Sequence, residues 1–320
     1  MTMDRRRFVE LSGSCVAQLG FLGLVAPAGL RASFAKRRVG GEPIVEEPWG
    51  RLERLGESIW ACVSTPLAGG SDAMRTFSNG GIVAGRSGVL VVEGFASDAG
   101  AQWMADMARQ LTKRAPTHVV LTHYHGDHSA GLGGYGTGAA KPIYVTTAAT
   151  RARLGAVRPA VAEVLSSAEL VDAAAPRVID LGGRRVTVTP RSGHTASDLT
   201  VTVDEPAAVF AGDLVWNGFF PNYVDAIPSV LSREVRAVGA SPGTVVPGHG
   251  AIPSREQLGR YVELLDLVED AARRAHAAGQ SPADAATRFT LPPALGEWTL
   301  FGESYFRTAL EAWERELAKP

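Results

Sequence analysis

Seven histidines are spread over 320 residues, and five of them stand where the chain turns after a short apolar run. The densest group is Thr122-His123-Tyr124-His125-Gly126-Asp127-His128, directly after a run that ends at Leu121. In extended backbone, side chains alternate with period two, so His123 and His125 point the same way and can meet one cation. Gly126 permits a sharp turn that carries Asp127 and His128 toward a second cation nearby. Packing gives no reason to cluster four ligand-type side chains here; the competing reading is a solvated polar turn. Three other positions repeat the arrangement singly. They are His194 in Gly193-His194-Thr195, Asp213 after Val209-Phe210-Ala211, and His249 in Pro247-Gly248-His249-Gly250. Each alone reads as a structural residue, but together they place ligand-type groups at the ends of successive strands. Nitrogen and oxygen donors without thiolate suit zinc, with iron or manganese also accommodated. His118 and His276 share no such context and read as structural or surface residues.

These positions need strands to carry them. Apolar runs predict strands at 59–63, 82–84, 89–92, 118–121, 143–146, 177–180, 185–189, 199–203, 207–211 and 244–246, with turn chemistry at Arg86-Ser87-Gly88. Ser97 can cap a helix in which Trp103 and Met107, and Met104 and Leu111, recur at helical spacing. A further helical segment spans 147–171. Ser254 and Gln257 form a capping box for a helix that places Leu258, Val262, Leu265 and Ala272 on one face. A last helix carries Phe306, Leu310, Trp313 and Leu317 as a core stripe. Strands with interspersed helices, in two halves, give an α/β layering.

Composition narrows the function. The chain is 45% hydrophobic and 20% charged with a net charge of -1, which excludes a disordered chain and gives no electrostatic reason for a nucleic-acid partner. Two cysteines, Cys15 and Cys62, can build neither a disulfide framework nor a cysteine-based zinc site. The sequence lacks a breaker-free apolar stretch of membrane-spanning length, so no permanent membrane anchor is expected. Arg5-Arg6-Arg7-Phe8-Val9 resembles a twin-arginine export signal, followed by a glycine-rich apolar stretch and by Ser33 and Ala35 as small cleavage-site residues. Residues 1–35 are read as that signal, which makes the twin-arginine machinery a partner and the periplasm the destination. A lipid anchor at Cys15 is rejected, because the apolar stretch follows the cysteine instead of preceding it.

The His-x-His-x-Asp-His run from His123 to His128, followed at wide spacing by His194, Asp213 and His249, resembles the metallo-β-lactamase superfamily. Thr122 to Gly131 matches its Thr-His-x-His-x-Asp-His-x-x-Gly form, and the resemblance covers roughly residues 57–275. It implies an αββα sandwich of two mixed β-sheets flanked by helices, with the metal site along one edge. The polar segment 36–56 is then a lead-in, and 276–320 a C-terminal helical extension packed on the domain. By position, His123, His125 and His194 would hold a first zinc, and Asp127, His128 and His249 a second. Asp213 would bridge the two. A flavodiiron-type site would carry Glu at position 125, so zinc is favoured. Glu93 stands where relatives often have an aspartate that supports the metal loop.

The resemblance implies hydrolysis of a small-molecule substrate by a hydroxide held between two metals, with Asp127 orienting it or relaying a proton and Asp213 as the bridge. With a metal-held hydroxide no separate nucleophile is needed. Gly131-Leu132-Gly133-Gly134-Tyr135-Gly136 contains Gly-x-Gly-x-x-Gly but not in a βαβ unit, so it reads as a flexible loop beside the metal motif. Trp216, Asn217, Phe219, Phe220 and Tyr223 follow Asp213 and form either a substrate wall or a packed loop. The best-known β-lactamases usually carry cysteine or serine at position 213; aspartate resembles thioesterases and lactonases. The reading is an exported binuclear zinc hydrolase of an ester, lactone or thioester. β-Lactam hydrolysis is the alternative, and a non-catalytic zinc-binding module is the second alternative.

Overall fold

The computed structural model describes residues 40–66, 74–137, 141–302 and 304–319. The twin-arginine motif and Cys15 lie outside the described residues. Among them, two mixed sheets form. The first runs β1 (Glu42–Glu47), β2 (Gly50–Gly56), β3 (Ile59–Ser64), β4 (Gly80–Ala84), β5 (Val89–Val92), β6 (His118–Val120), β7 (Ile143–Thr147) and β8 (Glu169–Val171). It is antiparallel up to β5 and parallel from there to β8. The second holds β9 (Arg177–Asp180), β10 (Arg185–Arg191), β11 (Asp198–Val203), β12 (Ala208–Phe210) and β13 (Thr244–Val246), with only β12 and β13 parallel. The helices are α1 (Asp98–Thr112), α2 (Gly126–Ser129), α3 (Ala148–Val157), α4 (Pro159–Val164), α5 (Pro228–Gly239), α6 (Arg255–Ala277), α7 (Pro282–Ala286) and α8 (Tyr305–Leu317).

Side-chain apolarity dictates the layering. β3, β4 and β5 are buried along their whole length, so both faces of the sheet must be covered. One face, with Ile59, Val83, Leu90, Val120 and Val145, meets Val186, Val188, Leu199 and Phe210 of the second sheet. The other face, with Ile82, Val91 and Val119, lies under Met104, Ala105 and Ala108 of α1. A third cluster joins Val209 and Val245 of the second sheet to α5, α6 and α8. Helix, sheet, sheet and helix therefore stack as an αββα sandwich. Each buried Val or Leu contributes roughly 1.5–3 kcal/mol.

Helix ends follow their caps. Ser97 Oγ accepts from Gly100 N, and Ser254 with Gln257 forms a complete capping box for α6. Three elements differ from the sequence expectation. Residues 42–56, read as a lead-in, add the hairpin β1–β2 to the first sheet. Their charged outer positions hide the alternation, and pairing of Leu52 opposite Cys62 supplies the order. The segment 147–171 is not one helix: Pro159 starts α4, and 169–171 joins the sheet beside β7. Helix α5 was not among the expected elements, although Pro228 at its first turn and Leu231, Val235 and Val238 carry the signal.

Cys62 lies in the centre of β3 with no exposed surface. Burial pushes its thiol up to about 12, against weaker opposing effects of the Ser64 hydrogen bond and the Arg51 charge. The thiolate is the nucleophile, so Cys62 should resist iodoacetamide at pH 8 in the folded chain and react after denaturation in guanidinium. Peptide mapping checks this; equal labelling in both states would show β3 open to solvent.

Candidate metal centre

The four ligand-bearing segments all leave strands at one edge of the sandwich. Thr122–His128 follows β6, His194 follows β10, Asp213 follows β12 and His249 follows β13. The antiparallel order β10–β11–β12 and the parallel pair β12–β13 bring the last three ends together. Leu199 N donates to Thr122 O at 2.9 Å and ties the two sheets at this edge. After His125 the chain turns into α2, where Ser129 Oγ donates back to His125 O. Gly248 must be glycine for contact reasons: a Cβ there would lie 1.9 Å from Asp213 Oδ1.

Seven side chains converge at this edge, each at most 7% exposed. His123, His125, His194 and Asp213 form one potential ligand group, and Asp127, His128 and His249 another. In the first, His194 Nε2 is 2.9 Å from His125 Nδ1 and 3.3 Å from Asp213 Oδ2, which is 3.8 Å from His123 Nε2. In the second, Asp127 Oδ2 is 3.1 Å from His249 Nε2 and 3.6 Å from His128 Nε2. Asp213 Oδ1 is 3.0 Å from His128 Nε2 and 3.4 Å from His249 Nε2. Ligands about 2.0–2.1 Å from a tetrahedral ion lie about 3.3 Å apart, in the middle of these separations. The Asp213 carboxylate thus turns one oxygen toward each group. His123 Nε2, His128 Nε2, His249 Nε2, both Asp127 oxygens and Asp213 Oδ1 make no hydrogen bond of proper geometry. Buried polar atoms left so are costly, and a shared cation would satisfy them together.

Outer partners fix the rings. The Thr122 hydroxyl donates to Glu93 Oε1 at 2.5 Å, so it accepts from His123 Nδ1–H at 2.9 Å. That leaves the Nε2 lone pair of His123 facing the cluster. Glu93 Oε1 also lies 3.1 Å from His128 Nδ1. It occupies the supporting place expected of it, in a left-handed backbone conformation (φ 85°) that costs a side-chain-bearing residue roughly 1–3 kcal/mol. His125 Nε2 donates to Asp225 Oδ2 at 3.0 Å and so presents Nδ1 inward.

The electrostatics divide the imidazoles. Burial holds His123 well below the usual imidazole range and His194 at about 3, the ligand-competent neutral form. Burial acts the same way on His128 and His249, but Asp213 and its carboxylate neighbours outweigh it, raising His249 to about 9 and His128 well above its ordinary value. Asp127 and Asp213 are held low despite burial, by the charges of His128 and His249. Two protonated imidazoles thus balance the carboxylates where metal cations would. The donor set fits a metal centre.

The sequence profile of the metallo-beta-lactamase superfamily matches residues 74–249. The chain belongs to the metallo-beta-lactamase superfamily. It is accordingly a metal-dependent hydrolase. It is 26% identical over 266 residues to the metallo-beta-lactamase type 2 of Bacillus cereus, covering 80% of this chain and 97% of that protein. A lactamase-like protein, aptB of Emericella nidulans, is 26% identical over 170 residues, 52% of this chain and 49% of that one. Among solved structures, a metallo-beta-lactamase from Pontibacter korlensis superposes with a TM-score of 0.53 at 21% identity, over 68% of this chain and 99% of that one. The sec-alkylsulfatase Pisa1 from Pseudomonas sp. superposes with a TM-score of 0.65 at 14% identity, over 84% of this chain and 50% of that one. These likenesses show the superfamily fold.

The remaining expected features resolve differently. Trp216, Phe219, Phe220 and Tyr223 are at most 3% exposed and Asn217 is buried, so this segment is the packed loop and not a substrate wall. Trp216 Nε1 donates to Asp213 O, and its ring lies 4.2 Å from that of His249. The glycine-rich stretch is not a flexible loop: residues Leu132–Thr137 form a 3-10 turn against α1, where a Cβ on Gly134 would strike Asp98 O. His118 is half-buried against Thr117, and His276 pairs with Glu314 on the surface.

Three supporting residues escape the sequence reading. Asp198 accepts from the backbone of His194 and Thr195, and its place four residues after His194 was the available signal. Asn79 donates to Pro247 O and Gly250 O, holding the His249 loop from 170 residues away, and Asp225 reaches His125 across 100 residues. No spacing rule links such pairs. Asp225→Ala should weaken the metal held by the His125 group about 10–100-fold, with Asp225→Asn recovering part of it. Chelator-competition titration measures this, and unchanged affinity would remove Asp225 from the centre. Gly248→Ala should displace the Asp213 carboxylate and lower the metal content per chain, read by elemental analysis at an unchanged circular dichroism spectrum.

Proposed function

We propose that the chain is a binuclear zinc hydrolase that opens an ester, lactone or thioester bond of a small molecule. The observation that carries this reading is the Asp213 carboxylate, with Oδ2 toward His194 and Oδ1 toward His128 and His249. Such a group suits two ions better than one. Bound zinc supplies Lewis acidity, acidifying water and polarising the substrate carbonyl. The protein's own groups do the rest. Burial keeps His123 and His194 in the neutral form, and Thr122 and Asp225 set which ring nitrogen His123 and His125 turn to the cluster. Asp127 keeps an oxygen, Oδ1, free of hydrogen-bond partners, placed to take the proton of an attacking water and return it to the leaving group. Asp213 is oriented through its backbone by Trp216.

A β-lactam is the second reading. The observation that favours it is the similarity to the Bacillus cereus metallo-beta-lactamase across 97% of that protein. Aspartate at position 213 favours the ester, lactone and thioester class. Export through the twin-arginine route belongs to the same proposal, supported by Arg5-Arg6-Arg7-Phe8-Val9.

The test is hydrolysis by zinc-reconstituted chain of a chromogenic cephalosporin beside a p-nitrophenyl ester, a thioester and a lactone. Expected is chelator-sensitive turnover of the second group at two zincs per chain, reduced ~100-fold or more by Asp213→Ala, a ligand whose loss should exceed that of an outer partner. Turnover of the cephalosporin alone would replace this reading with the β-lactam one. Fewer than one zinc per chain would overturn the binuclear centre.

A further inference from the structure

The superfamily profile ends at His249, yet the packing behind that histidine is completed by residues fifty positions further on. Thr299 N donates to Gly218 O and Phe220 N donates to Thr299 O, both at 2.9 Å. They form a short parallel bridge between the C-terminal segment and the chain that follows Asp213. Two residues later, Phe301 lies flat on Phe219, with ring centroids 4.8 Å apart and planes 7° apart. It is 3% exposed. Its ring centroid is 5.9 Å from that of His249, 6.0 Å from Trp216 and 5.5 Å from Phe77. The His249 imidazole is thus enclosed by Trp216 at 4.2 Å, Phe77 at 5.8 Å and Phe301.

This enclosure matters because of what His249 lacks. Two other imidazoles of the centre hydrogen-bond through the outward nitrogen, His123 to Thr122 and His125 to Asp225; His128 Nδ1 lies 3.1 Å from Glu93 Oε1, and His194 Nδ1 makes no hydrogen bond. His249 Nδ1 is buried and makes no hydrogen bond. Its ring direction is therefore set by packing and by the backbone, which Asn217 N pins through His249 O. Apolar walls orient a ring only while they are close-packed, since a gap forfeits the contacts that resist rotation.

We propose that Phe301 is a positioning residue for His249 and so sets the affinity of the ion held by Asp127, His128 and His249. The C-terminal segment is on this account a working part of the centre. The inference rests on the binuclear reading above. Its mechanism is steric and edge-to-face, so a smaller side chain at 301 frees the ring and loosens one ligand, leaving the group around His125 unaffected.

The experiment is zinc titration of the metal-free full chain against a chromogenic chelator, with cobalt absorption as a second readout. The relevant step is the one that His249→Ala abolishes. Phe301→Ala should weaken that step about tenfold or more, within the range seen for outer partners of metal ligands, and leave the other step unchanged. Phe301→Leu, which keeps most of the bulk, should show a smaller loss of the same step and carries the test should the alanine variant fail to fold. Leu310→Ala truncates a side chain in the same apolar cluster and should lower the melting temperature without moving either step. Wild-type affinity in the variants at position 301 would overturn the proposal, as would equal weakening by Leu310→Ala. A wild-type chain that binds fewer than two zincs overturns the binuclear reading and this proposal with it; two zincs with an unmoved step overturn this proposal alone.

Discussion

The Asp213 carboxylate sits almost out of reach of water between two sets of imidazoles, and the loops at this edge of the sandwich are arranged around it. A buried carboxylate is costly unless paired, and here each oxygen faces a different group of nitrogen donors. Asp127 and Glu93 add acidic groups to the same small volume. Such a cluster holds together only with cations in its midst, as protons on His128 and His249 or as metal ions. Gly248 has no side chain because the carboxylate occupies that space, and the Trp216 indole hydrogen-bonds the Asp213 carbonyl because the turn must not shift. The geometry of the centre follows from accommodating one carboxylate.

Around this centre the supporting contacts are of two kinds. The rings of His123, His125 and His128 are aimed by polar atoms, through the hydroxyl of Thr122 and the carboxylates of Asp225 and Glu93. His249 is aimed by aromatic surface. Polar support comes from within the two sheets and their edge loops, whereas aromatic support draws on Phe77 before β4 and on Phe301 near the chain's end. The segment before α8 therefore does more than connect helices: its Phe301 closes the enclosure in which one ligand is held.

The likenesses to known proteins fit this division. The superfamily profile spans the strands and loops that carry the seven side chains, and solved structures of low identity share the sandwich. The sandwich is a scaffold on which many chemistries can stand. Phe301 lies beyond the residues 74–249 that the profile matches.

Much of this architecture was legible in the sequence because it rests on local physics. Short apolar runs ending in polar residues marked the strands, serine caps marked α1 and α6, and the spacing from His123 to His128 marked a metal-ligand turn. Side chains that alternate along a strand and turn at a glycine need no distant information to be read. The hairpin β1–β2 was not legible, since its order comes from pairing with β3 and its own pattern is masked by charge. Nor was the packed state of Trp216 to Tyr223, because an aromatic run looks alike whether it lines a cleft or fills a core. The sequence by itself marked seven side chains as candidate metal ligands and placed them at strand ends, because ligand-type residues follow short apolar runs. Only the tertiary structure decided which outer groups aim them: Asn79, Asp225 and Phe301 act across long chain separations, where contact depends on how sheets and helices stack and not on residue spacing.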